Sequence, residues 1–417
     1  MLYYIGFVLY LLATNAYFLV IKLIAPFNAR AKAFNSGRKG LLKHIEQSLQ
    51  NETRQSIWFH VASLGEFEQA KPLIEVLKVK FPQYCIVITF FSPSGYENKK
   101  DDSIADYIFY LPNDSKKNAV PFIKLIKPAM AFWVKYDFWY YYLNQLSKNN
   151  IPVYLIAASF TEDHAYLKWY AAFYKKMFHC FRFIFTQNTK TALLLNNIGI
   201  NQTLITGDTR FDRVYQSVQQ FESLPLIEQF KQDKLLIVVG SSYVIEETFL
   251  QHFMEKNPNT GVKIIIAPHF ISPERLDEIE QHFTGILRFS QANATNIEKH
   301  QSLLIDNIGM LSKIYRYADI AFIGGGFKAK GLHNILEAAT FGKPIIHGDK
   351  IGYFPEAKLL NTNKGSIVVN DETSFETALS SLLNDKDKRL TMGNNAKQLV
   401  LDNVGATEKI ISKIIKA

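Results

Sequence analysis

Short apolar runs alternate with amphipathic, helix-length stretches along most of the chain. In the first half, Ile57–Ala62, the run inside Pro82–Phe91, Tyr107–Tyr110, Met130–Val134, Val153–Ala157 and Phe183–Thr186 read as strands. Leu235–Val239, Lys263–Ala267, Leu303–Ile305, Ile320–Ile323, Pro344–His347 and Ser366–Val369 continue the pattern in the second half. Apolar strands separated by helices predict parallel, doubly wound sheets covered on both faces. Between the halves, residues 215–234 are polar, helix-prone and strandless, and read as an interdomain linker. The predicted layout is an anchor at 1–26, a βα domain at 27–214, the linker at 215–234 and a second βα domain at 235–417. The fold class is α/β, with two Rossmann-like βαβ domains facing a cleft and ligands beyond the C-terminal strand ends.

The first segment breaks this rhythm. Leu2–Ile21 carries no charge, and Lys22, Arg30, Lys32, Arg38, Lys39 and Lys43 follow before any acid appears at Glu46. Such a run has about the ~20 residues that cross a bilayer, and the basic flank puts its C-terminal side in the cytoplasm. A cleaved signal peptide would want a basic stretch ahead of the apolar one. Asn15 and several tyrosines leave a helix lying in the interface open as well.

At 417 residues there is room for two domains. The net charge of +9 favours anionic partners, yet no arginine-rich arm or RNA-binding signature is present, so nucleic acid is not expected. Cys85 and Cys180 are the only cysteines, too few for a disulfide framework or a cysteine metal site. No metal and no cofactor are expected.

Candidate chemistry concentrates in Ile320–Gly348. A strand opens into Gly324, Gly325 and Gly326, a helix is predicted over Leu332–Phe341, and Gly342 and Pro344 close it. Glycines let backbone N–H groups approach a phosphate, and a helix N-terminus favours the same charge. Asn334 and Glu337, three apart, share a face there and would suit ribose hydroxyls. An ordinary crossover with a solvated Glu337 is the alternative; the glycines, His333-Asn334, Glu337 and the Gly-Lys-Pro exit together favour a nucleotide site. Ser241 and Ser242 end another strand, either as caps or as phosphate ligands.

Two positions in the first half carry similar ambiguity. Ser63-x-x-Glu66 fits a capping box, with Glu66 reaching back to the Ser63 N–H, and Glu66 is equally placed to act as a general base at a strand end. Lys135 and Asp137 sit among aromatics in Phe132–Tyr142, either as one buried ion pair or as an acceptor-side pair.

Taken together, His60-Val61-Ala62-Ser63-Leu64-Gly65-Glu66, Thr206-Gly207-Asp208-Thr209-Arg210-Phe211-Asp212 and Gly331-Leu332-His333-Asn334-Ile335-Leu336-Glu337 resemble the 3-deoxy-D-manno-oct-2-ulosonic acid (Kdo) transferases of lipopolysaccharide assembly, which are GT-B glycosyltransferases. The resemblance covers nearly the whole chain. It implies metal-independent, inverting transfer of Kdo from CMP-Kdo to lipid A precursor (lipid IVA) at the cytoplasmic face of the inner membrane. Glu66 would be the catalytic base. CMP contacts would fall on Pro268, His269, Ile308, Gly309, Met310, Asn334, Ile335, Leu336 and Glu337, with Arg210, Gly325 and Gly326 at the phosphate; Lys135 and Asp137 would lie on the acceptor side. The family usually has arginine at His269, glutamate at Met310, lysine at Arg210 and an acid at Lys135. A GT-B enzyme using a UDP-sugar, or a membrane-anchored nucleotide-binding module without catalysis, are the alternatives.

Overall fold

Strands that are mostly buried, most fully at the centre of each sheet, assemble into two seven-stranded parallel sheets. The computed structural model describes residues 2–168, 171–219, 222–328, 331–352 and 354–416. It divides into one unit of Met1–Arg213 with Gly405–Ala417 and a second of Val214–Val404.

The first unit holds β1 (Ser56–Val61), β2 (Cys85–Phe90), β3 (Tyr107–Tyr110), β4 (Pro128–Val134), β5 (Val153–Ala158), β6 (Phe183–Thr186) and β7 (Thr203–Ile205), in the order β3-β2-β1-β4-β5-β6-β7. Because these strands are covered on both faces, they carry large apolar residues at successive positions rather than alternating with polar ones. Trp58 meets Trp133 edge-on at 4.8 Å on one face. Phe59 stacks on Phe132 at 4.7 Å on the other. The chain builds outward from β1 to β3, then returns to the far side of β1 with β4, so the winding reverses between β1 and β4.

The second unit holds β8 (Leu236–Ser242), β9 (Lys263–Pro268), β10 (Leu287–Arg288), β11 (Ser302–Leu304), β12 (Ile320–Ile323), β13 (Ile345–Gly348) and β14 (Ser366–Val369), ordered β10-β11-β9-β8-β12-β13-β14. Here the reversal falls between β8 and β12. In open parallel sheets these reversal points open the crevices that ligands occupy.

Three expectations change. The stretch assigned to a linker is largely built into structure: one helix runs over Thr209–Gln219, and another over Pro225–Lys231 buries Ile227 and Phe230. The second unit therefore begins at Val214. The C-terminus does not stay with it. In the last helix, Ala406–Ile415, Ile410, Ile411 and Ile414 join the core that holds Phe67 and Ala70 in the first unit. Asp212 secures that return, accepting the Gly405 N–H, the Thr407 N–H and the Thr407 hydroxyl, each at 2.6 Å. Periodicity shows that a helix is amphipathic but not which sheet its apolar face covers. Finally, the helix expected over Leu332–Phe341 is confined to the five residues Leu336–Thr340. Gly331 sits at φ +84°, and the Asn334 side chain accepts the Leu336 N–H at 3.2 Å, so the helix starts there.

The N-terminal helix α1 (Leu2–Ile24) packs lengthwise on the first unit. Tyr3, Phe7, Tyr10 and Phe18 follow helical spacing toward the aromatic cluster around Phe173, Tyr140 and Trp139. Tyr10 donates to Asp114 at 2.6 Å, and Asp114 also accepts the Tyr141 N–H at 3.1 Å. Gly6 permits the close approach, since a Cβ there would lie 2.7 Å from the Phe173 Cβ. The opposite face leaves Leu2, Ile5, Val8, Leu9, Leu19 and Leu23 exposed.

Candidate functional sites

The reversal point of the first sheet brings together three residues singled out from sequence. β1 runs into Ala62 and Ser63, and the helix Leu64–Lys80 begins at once, placing Glu66 in its first turn. Its carboxylate accepts the Ala62 N–H at 2.5 Å and is also held by the Ser63 N–H. The capping box is thus half built: the carboxylate reaches back, while the Ser63 side chain makes no capping bond. Burial raises the Glu66 proton affinity most, with the charge of Asp137 adding to it and that of Lys135 opposing, for a value of about 7. A carboxyl that titrates near neutrality suits a general base.

Lys135 and Asp137 follow β4 on the other side of the reversal point. Lys135 takes a left-handed backbone, φ +62°, a conformation that L side chains seldom adopt. The Asp137 carboxylate is held by His60 Nε2 at 3.0 Å and by the Trp139 indole at 2.9 Å. Behind it, the Trp58 indole donates to Thr89 at 2.9 Å, and Thr89 meets His60 Nδ1 at 3.0 Å. The Thr89 hydroxyl also lies 3.4 Å from the Phe59 carbonyl, and His60 is fixed by polar contacts at both ring nitrogens. This chain fixes the carboxylate that tunes Glu66.

In the second unit the C-terminal strand ends collect a different set. Tyr243 follows β8, His269 follows β9 and His333 lies in the loop after β12. His333 stacks on His269 at 4.1 Å and meets the Tyr243 hydroxyl through Nε2 at 3.0 Å, while Lys328 Nζ lies 3.6 Å from the centre of the Tyr243 ring. Burial and then the neighbouring His269 lower the His333 pKa to about 4, so it is neutral at physiological pH. Pro268 is the last residue of β9 and is buried, whereas His269 is exposed. Ile308 and Gly309 stand in an exposed loop, Gly309 at φ +94°, and Met310 caps the short helix Leu311–Ile314. Asn334 donates to Glu337 at 2.9 Å, so this pair meets as expected; both stay accessible while Ile335 and Leu336 are buried.

The glycine loop behaves differently from its sequence reading. The Gly325 N–H is taken by Glu246 Oε1 at 2.8 Å, and the other Glu246 oxygen accepts the Tyr243 N–H at 3.0 Å. Glu246 thus ties the two loops that flank the β8–β12 reversal point, and the Gly325 N–H is engaged within the protein. Gly326 is explained by packing, since a Cβ would lie 2.5 Å from the Gly348 nitrogen. The helix after this loop has only five residues, so the extended helix dipole expected there is absent. Ser242 is likewise engaged, donating to Glu247 at 2.6 Å.

Residues 36–213 match the family described as 3-deoxy-D-manno-octulosonic-acid transferase (kdotransferase), and residues 288–399 match glycosyl transferases group 1. A 3-deoxy-D-manno-octulosonic acid transferase of Haemophilus influenzae is 29% identical over 377 residues, covering 86% of each chain. Over most of its length the chain is similar to Kdo transferases. A relative of the same description from Aquifex aeolicus is 27% identical, covering 82% of this chain and 89% of its own. Among solved structures, UDP-GlcNAc 2-epimerase from Neisseria meningitidis bound to UDP-GlcNAc superposes with a TM-score of 0.61 at 16% identity, over 87% of this chain and all of the other. That likeness shows the GT-B fold.

Arg210 belongs to the first unit, and its guanidinium binds Asp208 at 2.7 and 2.8 Å. The first unit thus holds Glu66, Lys135, Asp137 and Arg210, and the second holds the remaining donor-side candidates. Sequence reading missed His60, Tyr243, Glu246 and Lys328, whereas His333 belonged to the nucleotide-site reading. His60 stands at the head of a quoted motif, so a signal existed for it. Nothing in the local sequence marks Tyr243, Glu246 or Lys328. Among the described residues, no group of three or more His, Cys, Asp or Glu side chains is placed to hold a metal ion.

Proposed function

We propose that the protein transfers Kdo from CMP-Kdo to a lipid A precursor, lipid IVA, with inversion at the anomeric carbon. The observation that carries this reading is Glu66, buried at the reversal point beside Lys135 and Asp137 and titrating near 7. The acceptor hydroxyl oxygen forms the new bond to the anomeric carbon as the bond from that carbon to the phosphate oxygen breaks. The hydroxyl proton passes to the Glu66 carboxylate, and the bonding pair leaves on CMP. One displacement inverts the centre, and the scheme closes without metal or cofactor. On the donor side, the Asn334–Glu337 pair suits ribose hydroxyls, with Pro268, His269 and the 308–310 loop as further CMP contacts. Lys328 supplies positive charge for the phosphate.

For localisation, the reading is the cytoplasmic side of the inner membrane. α1 has one face committed to the protein and one apolar face exposed, which suits a helix lying in the interface more than one crossing it. Its basic flank favours anionic lipid.

Incubation of the full chain with CMP-Kdo and lipid IVA, with products resolved by mass, tests the reading. The expected result is a Kdo-bearing product, inhibited by CMP and not by UDP. Inhibition by UDP alone, or no transfer, overturns it. Glu337→Ala should weaken CMP binding by ~1.5–3 kcal/mol, the range for hydrogen bonds to a charged group.

A further inference from the structure

α1 does more than touch the first unit. Between it and the segment after β4 runs a groove of about 760 Å³, within the ~300–1,000 Å³ usual for ligand sites. Ile5, Leu9 and Ala13 form one wall, and Phe138, Tyr166 and Tyr174 line the other. Two features give the groove a direction. Asp137 lines it, the same side chain that His60 holds and that raises the Glu66 proton affinity. Ile5 and Leu9 also belong to the exposed apolar face of α1, so the groove extends from Asp137 to that exposed apolar face. At the other end of the helix, Lys22, Lys32 and Lys39 line a second hollow of about 740 Å³. An apolar channel beside a cluster of lysines complements an anionic, acylated lipid.

We propose that this groove seats an acyl chain of the acceptor, so that α1 is one wall of the acceptor site and not only an anchor. The inference rests on the lipid acceptor reading above. Seating a chain there would draw the sugar hydroxyl toward Glu66 without taking the chain through water, and would make acylation a determinant of acceptor choice.

Ala13 is exposed and lines the groove, so Ala13→Trp fills it without disturbing the buried face of α1. Leu12→Trp, on the same helix but outside the groove, controls for added apolar area. The readout is the ratio of KM for the deacylated acceptor to KM for lipid IVA, in mixed micelles with the full chain. Ala13→Trp should compress this ratio about tenfold, roughly what two buried methylenes contribute, while Leu12→Trp leaves it at the wild-type value. A lipid IVA analogue carrying a diazirine on one acyl chain should crosslink to α1 and to Tyr166 or Tyr174. An unchanged ratio in Ala13→Trp, an equal change in both variants, or crosslinks confined to other regions overturns the groove assignment. Failure of the wild type to transfer Kdo, with crosslinks still in the groove, overturns the acceptor reading and leaves acyl binding standing.

Discussion

Glu66 accepts the backbone N–H of Ala62 at 2.5 Å, so the carboxylate of a helix's first turn is folded back over the end of the strand before it. That bond lowers the Glu66 pKa, but burial outweighs it and leaves the group at about 7. A base held this way has one fixed direction and a proton affinity matched to its medium.

Replacement of Glu66 by Gln keeps an acceptor for the Ala62 N–H and removes the base. Transfer should fall by ~10²–10⁴-fold, the usual contribution of a positioned general base, with CMP affinity unchanged by calorimetry. Wild-type kcat/KM should rise with pH through about 7. Turnover within a few-fold of wild type in the variant would return Glu66 to a capping role.

The same group sets a stability signature. Its folded pKa of about 7 lies above the ordinary 4.5, so the folded chain binds the proton more tightly than the unfolded one. The stability this contributes is complete below 4.5 and is lost as pH rises through about 7. Denaturant melts of wild type should weaken over that window, and Glu66→Gln should be flatter. Identical pH slopes in the two proteins would refute the raised pKa.

Lys135 and Asp137 act on Glu66 in opposite directions. Removing the aspartate charge with Asp137→Asn should move the alkaline rise in kcat/KM to lower pH. Lys135→Met should move it to higher pH. Shifts of the same sign in both variants would show that neither charge faces Glu66.

Glu246 is buried and bridges the Tyr243 and Gly325 N–H groups. Glu246→Ala leaves both donors without their carboxylate, at a cost of ~1–3 kcal/mol for each buried group left unsatisfied. Thermal unfolding should show that loss, and CMP affinity should fall with it because the loops that carry the donor-side residues are freed. A variant with wild-type melting and CMP binding would make the bridge incidental.

Much of this architecture was legible in the chain. The strand runs Ile57–Ala62 and Ile320–Ile323 are apolar because both faces of a parallel sheet are covered, and such runs announce themselves without tertiary information. Leu2–Ile21 announced itself by its lack of charge. Glu66 stood out because it sits within a turn of a predicted strand end. Asn334 and Glu337 stood out because, three apart near a predicted helix start, they share a face; both relationships are local. What the chain could not disclose depended on partners far apart in sequence. The meeting of Asp137 with His60 spans 77 residues, and the Glu246–Gly325 bridge spans 79; both exist only because the winding reverses between neighbouring strands. The return of Ile410, Ile411 and Ile414 to the first unit was invisible for the same reason. Periodicity specifies which face of a helix must be buried, and only the completed sheets decide against what; the residues around Glu66 then decide where its proton is held.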